Sequence, residues 1–188
     1  YSVSSLSSQF LESRELFWGS VPFHLGIMML FFGHLLGFCF PRALTIWNGS
    51  PLRLVIIEAT SLTSALLFLV GLGVLISRRV RMVRLRPVTT VYDWAVYALL
   101  MWQVVTGLYV ALWLRWGSAW YLHVMVPYLR SIFTLNPQVQ LMAQVPWPVK
   151  LHVLGAFTLF TVFAFTLVMN ILVAPLPYCW RQPQLVLW

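Results

Sequence analysis

Residues 18–40 read Trp18-Gly19-Ser20-Val21-Pro22-Phe23-His24-Leu25-Gly26-Ile27-Met28-Met29-Leu30-Phe31-Phe32-Gly33-His34-Leu35-Leu36-Gly37-Phe38-Cys39-Phe40, with no Lys, Arg, Asp or Glu among them. The stretch is as long as the ~20 residues that carry an α-helix across a hydrocarbon core ~30 Å thick. Lipid offers the backbone no hydrogen-bond partner, and a helix satisfies its own N–H and C=O groups within one segment. The stretch therefore predicts a transmembrane helix with two imidazoles set into it. It is too long for a cleaved signal peptide and no short basic stretch precedes it.

Three more apolar stretches follow, Leu54 to Ile76, Tyr92 to Leu114 and Lys150 to Ala174. Over 188 residues, 61% hydrophobic and 9% charged composition with a mean hydropathy of +0.85 leaves too little polar surface to cover a water-soluble globule. The expected fold is an all-α integral membrane protein, a four-helix transmembrane bundle forming one domain over 1–188. The chain opens at Tyr1 rather than Met, so the bundle is read as incomplete, with an earlier helix missing.

Arginine placement orients the bundle. Arg78, Arg79, Arg81, Arg84 and Arg86 crowd the connection 77–91, whereas the connection from Pro41 to Leu52 holds only Arg42, and Arg115 and Arg130 lie in 115–149. The dense loop is expected on the cytoplasmic side together with the tail 175–188, and the segment 115–149 outside. That outer segment, with Trp116, Trp120, Tyr121, Tyr128, Ile132 and Phe133, reads as an interfacial helix that forms a lid. The net charge of +8 is then a topology signal with a second use on anionic lipid, and it gives no support to nucleic-acid binding. Cys39 and Cys179 fall near opposite faces and read as free thiols; no Cys-x-x-Cys spacing for a c-type haem occurs.

Ionisable side chains inside a membrane are costly and mark function. Here they are His24, His34, Glu58, Asp93, Lys150 and His152. A zinc or di-iron site would need more Cys, Asp or Glu near the histidines. Haem iron needs two axial groups, which facing helices of a bundle can supply as imidazoles. His34 and His152 both fall toward the outer face in this topology, so they form the expected ligand pair of a haem b. Lys150, at the rim, is the expected partner of a propionate. His24 lies ~15 Å deeper along the first helix, a spacing that suits a second haem. Gly26, Gly33, Gly37 and Gly155 give a flat ring room to approach the backbone. Each histidine has a plainer use as a hydrogen-bond donor to a neighbouring helix.

These residues resemble a family, the gamma or cytochrome b subunit of membrane-bound respiratory nitrate reductase. The likeness runs in order through Ser7-Ser8-Gln9, Phe23-His24-Leu25-Gly26, Gly33-His34-Leu35-Leu36-Gly37, Arg78-Arg79, Thr89-Thr90 with Asp93, Leu151-His152 and Gln184-Leu185-Val186. The resemblance implies five membrane helices, the first preceding the Ser-Ser-Gln stretch, and two b haems. It gives the outer haem to His34 and His152 and the inner one to His24 with a histidine late in the last helix. Counting along that helix reaches Asn170, and asparagine is a poor iron ligand. Three arrangements are open at the inner site: no haem, His24 as the sole protein ligand, or a substitute such as Met169. A retained haem with altered ligation is favoured, because a lone imidazole in lipid is costly.

The resemblance also implies a role. Quinol is oxidised near the outer face, and electrons pass inward to an iron-sulfur subunit and a molybdenum catalytic subunit on the cytoplasmic side of a prokaryotic plasma membrane. The chain itself would not bind nitrate. Arg53 stands near the family's basic residue for quinol, Glu58 lies deeper as a proton acceptor, and Gly33 borders the same site. Arg53 has the alternative of snorkelling to the interface and Glu58 that of a neutral inter-helix bond. Asp93 reads as a helix-terminus charge. The alternatives in function are the same subunit in a nitrite oxidoreductase or other molybdoenzyme complex, and a membrane anchor that transfers few electrons.

Overall fold

The computed structural model describes residues 14–163. Met169, Asn170, Cys179 and the tail 175–188 lie outside the described residues. In chain order the helices are α1 (Arg14–Cys39), α2 (Pro41–Asn48), α3 (Pro51–Arg81), a 3₁₀ helix (Val83–Val88), α4 (Val91–Trp113), α5 (Gly117–Trp120), a π turn (Tyr121–Met125), α6 (Val126–Phe133), α7 (Gln140–Ala143) and α8 (Trp147–Phe163). No strand occurs among the described residues. Three helices, α1 from Leu16, α3 and α4, are long and apolar enough to cross a membrane, and the described part of α8 is a shorter apolar helix. The protein is a multi-pass α-helical membrane protein.

Packing is serial: α1 lies along α3, α3 meets α4, and α4 lies along α8. Small residues allow the first of these contacts. A Cβ on Gly26 would stand 2.5 Å from the backbone N of Phe68 and O of Ser64, and one on Gly71 would run into the backbone of Phe23 and Gly19. The two helices thus touch backbone to backbone, as small-residue interfaces in lipid do. Phe68, Leu72, Leu100, Val104 and Leu108 fill the centre, flanked by Phe23, Ile27 and Leu30. Apolar side chains such as Trp18, Leu25, Phe31, Leu36, Val70 and Trp113 point outward, which is the ordinary arrangement for a surface solvated by lipid.

The arginine loop differs from its sequence reading. Helix α3 runs past Ile76 to Arg81, so Arg78, Arg79 and Arg81 lie in its last turn, where cations complement the helix dipole. Arg78 is only 1% exposed and is part of the bundle interior. Arg79 Nη1 donates to Thr89 Oγ1 at 2.8 Å, and the Thr89 hydroxyl donates to Leu85 O at 2.6 Å. Arg81, Arg84 and Arg86 remain exposed. The next helix starts on a capping box: the Asp93 carboxylate accepts from Thr90 N at 2.8 Å, and Thr90 Oγ1 accepts from Asp93 N at 3.2 Å.

The segment 115–149 is not the single interfacial helix its composition suggests. Trp116 sits in the left-handed region with φ 66°, Leu135 with φ 56°, and Pro127, Pro137 and Pro146 withdraw backbone donors, so the chain breaks into short helices and a π turn. Met125, Val145 and Val149 still give it a core of its own, packed on Val110, Leu114 and Val153. It covers the end of the bundle that holds His34 and His152.

Candidate functional site

The three bundle histidines share one feature of protonation. His34 Nδ1 is 2.8 Å from Leu30 O, and His24 Nδ1 is 2.7 Å from Ser20 O. A carbonyl only accepts, so Nδ1 carries the proton and Nε2 keeps its lone pair. Neither Nε2 has a hydrogen-bond partner among the described residues. This is the second-shell arrangement that presents an imidazole nitrogen to a metal. His24 also has Ser20 Oγ 3.0 Å from Nδ1.

His152 reaches the same state through side chains. Its Nδ1 is 3.0 Å from Thr106 Oγ1, whose proton goes to Trp102 O at 2.7 Å, so the hydroxyl oxygen accepts from the ring. Its Nε2 accepts from the Gln103 amide at 3.3 Å. Tyr121, whose ring meets His34, packs in one cluster with Val149 and Val153 on either side of His152 in sequence, so the two histidines lie at one end of the bundle although α1 and α8 belong to opposite ends of the packing series. The donor set therefore fits a haem iron held between these helices, with the Gln103 contact to be exchanged for it. No cluster of three or more His, Cys, Asp or Glu that would suit another metal occurs among the described residues.

The short-helix segment closes over His34. Tyr121, in the π turn, sets its ring edge-on to the imidazole with centroids 5.4 Å apart, and its hydroxyl donates to His34 O at 3.0 Å. Burial, then the charge of Cys39, pushes the phenol up to about 12, so it stays a neutral donor at physiological pH. Arg130 Nη2 donates to Phe38 O at 2.8 Å and adds a second tie to the end of α1. Glu58 adds a third from α3: its Oε1 accepts from Ser118 N at 2.9 Å and Ser118 Oγ at 2.6 Å, capping the start of α5.

The remaining sequence candidates are spread out. Arg53 is exposed, donates from Nη2 to Ile46 O at 3.3 Å and lies 5.5 Å from the Trp47 ring centroid, a clasp across the α2–α3 turn. It and Glu58 project about 140° apart around α3, so the structure does not bring them to one point. Lys150 Nζ donates to Ala143 O at 3.3 Å and stands 5.2 Å over the Trp147 ring.

The glycines correct an expectation. Gly26 seats α1 on α3, Gly37 lies under the Tyr121 ring, and Gly155 lies under Trp102 and Gln103, so protein fills the space in front of all three. Only Gly33 among the four has no atom within 4 Å of a Cβ position, and it adjoins His34. Gly107 makes room for a histidine instead: a Cβ there would stand 3.0 Å from His152 Cε1, so the imidazole rests on the α4 backbone. Sequence reasoning missed Gly107, Gln103, Thr106 and Tyr121. Gln103 and Thr106, at i and i+3 in an apolar span, were the available signal, since polar groups in a membrane helix need partners.

The fold defines a class: multi-pass helical membrane proteins with imidazoles set into their apolar helices. The chain belongs to the nitrate reductase gamma subunit family, which it matches over residues 1–188. It is 32% identical over 180 residues to the nitrate reductase-like protein NarX of Mycobacterium tuberculosis, covering 93% of this chain and 28% of that protein. It is 27% identical over 190 residues to the respiratory nitrate reductase 2 gamma chain of Escherichia coli, covering 99% of this chain and 84% of that one. The nitrate reductase gamma chain of Bacillus subtilis is 27% identical over 180 residues, covering 94% and 80%. The chain thus spans about a quarter of the mycobacterial relative and most of the two gamma chains.

Proposed function

We propose that this chain is the haem b electron-transfer subunit of a molybdenum and iron-sulfur respiratory complex in a bacterial inner membrane, passing electrons from quinol to an iron-sulfur subunit on the cytoplasmic side. The observation that supports the reading is the pair His34 and His152, set in apolar helices with Nδ1 facing acceptors and both at the end of the bundle that the short-helix segment covers. Bound between them, a haem b supplies one-electron redox chemistry. Lys150, on the same end of α8, is the candidate partner for a propionate. His24 presents a second Nε2, and the candidates for its partner, Met169 and the Asn170 position, lie outside the described residues.

Quinol oxidation releases two electrons and two protons, so the site needs an apolar slot and a proton acceptor. Gly33 leaves open space beside His34 where the quinol ring would lie. Glu58 is the acceptor: Ser118 holds Oε1, and Oε2 has no partner among the described residues. Arg53 stays a candidate for the quinol head group at the membrane rim. Protons released through Glu58 leave on the lid side while electrons go toward the arginine-rich end, which separates charge.

The test is the haem-to-chain ratio by pyridine haemochrome, together with reduction of the bound haem by a quinol analogue. Two haems per chain reduced on a millisecond scale are expected. A ratio of one removes His24 from the ligands; no haem, or haem that quinol does not reduce, sinks the proposal. Glu58 separates two roles. Glu58→Gln keeps an acceptor for Ser118, so hydrogen exchange at 117–120 stays near wild type while quinol-driven reduction slows at least ten-fold. Glu58→Ala loses the charge-assisted bonds as well, worth about 2 kcal/mol, and exchange there quickens. Equal reduction rates in wild type and Glu58→Gln would remove the proton role.

A further inference from the structure

We propose that Thr106 and Gln103 are the positioning residues of His152: Thr106 fixes its tautomer and basicity, and Gln103 occupies Nε2 until iron takes that place. The inference rests on the reading of His152 as a haem ligand.

The polar chain on α4 has one direction. Trp102 O at 2.7 Å and Gln103 O at 3.2 Å can only accept, so the Thr106 proton goes to the carbonyls and the oxygen's lone pair meets the His152 Nδ1–H at 3.0 Å. Nε2 is then an acceptor, and the group beside it is the Gln103 amide nitrogen, a donor, at 3.3 Å. The opposite tautomer would set N–H against N–H at Gln103. Gln103, Thr106 and Gly107 fall on one face of α4 by the i, i+3, i+4 rule, and Gly107 lets the ring lie against the backbone. Trp102 Nε1 donates to Leu151 O at 3.2 Å and fixes α8 at the residue before the histidine.

Gln103 carries the second half of the argument. Its Oε1 is buried without a partner, which is destabilising for a buried amide. A glutamine serving only to join α4 and α8 would be expected to use both ends; this one uses the end that faces the ligating nitrogen. The contact is long for an N–H···N bond, and iron and the amide cannot share one lone pair. Gln103 therefore keeps Nε2 satisfied in lipid and gives way to the metal.

His34 and His24 take their Nδ1 acceptors from backbone carbonyls, which substitution does not remove. Thr106 is a side-chain handle on the same property. An acceptor at Nδ1 makes Nε2 a stronger donor and favours ferric over ferrous iron, so its removal raises the reduction potential.

The test uses the full chain in its native membrane complex. In Thr106→Val, haem content stays at the wild-type level, the low-spin electron paramagnetic resonance line of one haem moves, and the ferrous-to-ferric ratio at fixed ambient potential rises roughly five-fold, as one lost hydrogen bond gives. Thr106→Ser restores line and ratio. In Gln103→Leu, haemin added to haem-depleted membranes binds roughly five-fold faster, because no amide has to leave. If His152→Ala abolishes one signal while Thr106→Val leaves line and ratio unmoved, the positioning role is overturned and the haem reading stands. Haem loss in Thr106→Val that Thr106→Ser does not restore overturns it too. An unchanged insertion rate in Gln103→Leu overturns the part given to Gln103. A full signal in His152→Ala overturns the reading and the inference together.

Discussion

Replacing His34 with alanine removes one of the b-type absorbance signals, replacing His152 removes the same one, and the double variant loses nothing more. Two ligands that hold one group act as a unit, so their effects on its retention do not add. His24→Ala removes a different signal, and adding it to either of the others leaves none. The variants should insert and pack. His34 is exposed on α1, alanine is a good helix former, and the tie from Tyr121 goes to the His34 backbone oxygen, which survives. His152→Ala costs more, because it leaves the Thr106 oxygen and the Gln103 amide facing a hole, a loss of about 1–3 kcal/mol. Optical spectra of membranes normalised to chain level read the result. Full haem content in both single variants, or two different signals lost in His34→Ala and His152→Ala, would remove the pairing.

Legibility in the sequence followed the strength of the physical signal. Hydropathy made the membrane helices plain, since a span in lipid has to be long and apolar, and the histidines stood out because lipid penalises their polarity. The glycines were misread because the same residue serves two purposes: Gly26 and Gly155 admit a neighbouring helix, and only their partners Phe68 and Trp102, far off in sequence, show it. The arginine loop looked like surface because charge usually is, yet Arg78 lies inside as the last turn of a helix that outlasts its apolar run. Glu58 was seen as an ionisable residue, but its partner Ser118 depends on a left-handed Trp116 that no pattern announces. Gln103 and Thr106 stand out in the sequence as polar residues in an apolar span, but the group they hold depends on α4 packing along α8.

Gly26→Ala and Gly71→Ala should each break the bundle, whereas Gly33→Ala and Gly73→Ala should tighten it. Two terms of opposite sign decide. In a helix interior alanine is favoured over glycine by about 1 kcal/mol. At Gly26 the added carbon would stand 2.5 Å from backbone atoms of Ser64 and Phe68, and at Gly71 it would enter the backbone of Phe23, so no side chain can move aside and α1 must lift from α3. Overpacking of that kind costs about 3 kcal/mol, and the loss wins. At Gly33 and Gly73 no atom lies within 4 Å, so the propensity gain acts alone. Detergent-resistance or thermal-unfolding midpoints of the purified chain should fall for the first pair and hold or rise for the second; equal midpoints for Gly26→Ala and Gly33→Ala would sink the packing argument. Gly33→Leu then joins fold to function. It should keep the stability of Gly33→Ala, yet because the side chain occupies the open space beside His34 proposed for quinol it should lose quinol-driven reduction, and the first site at which shape fails would be the ligand's rather than the bundle's.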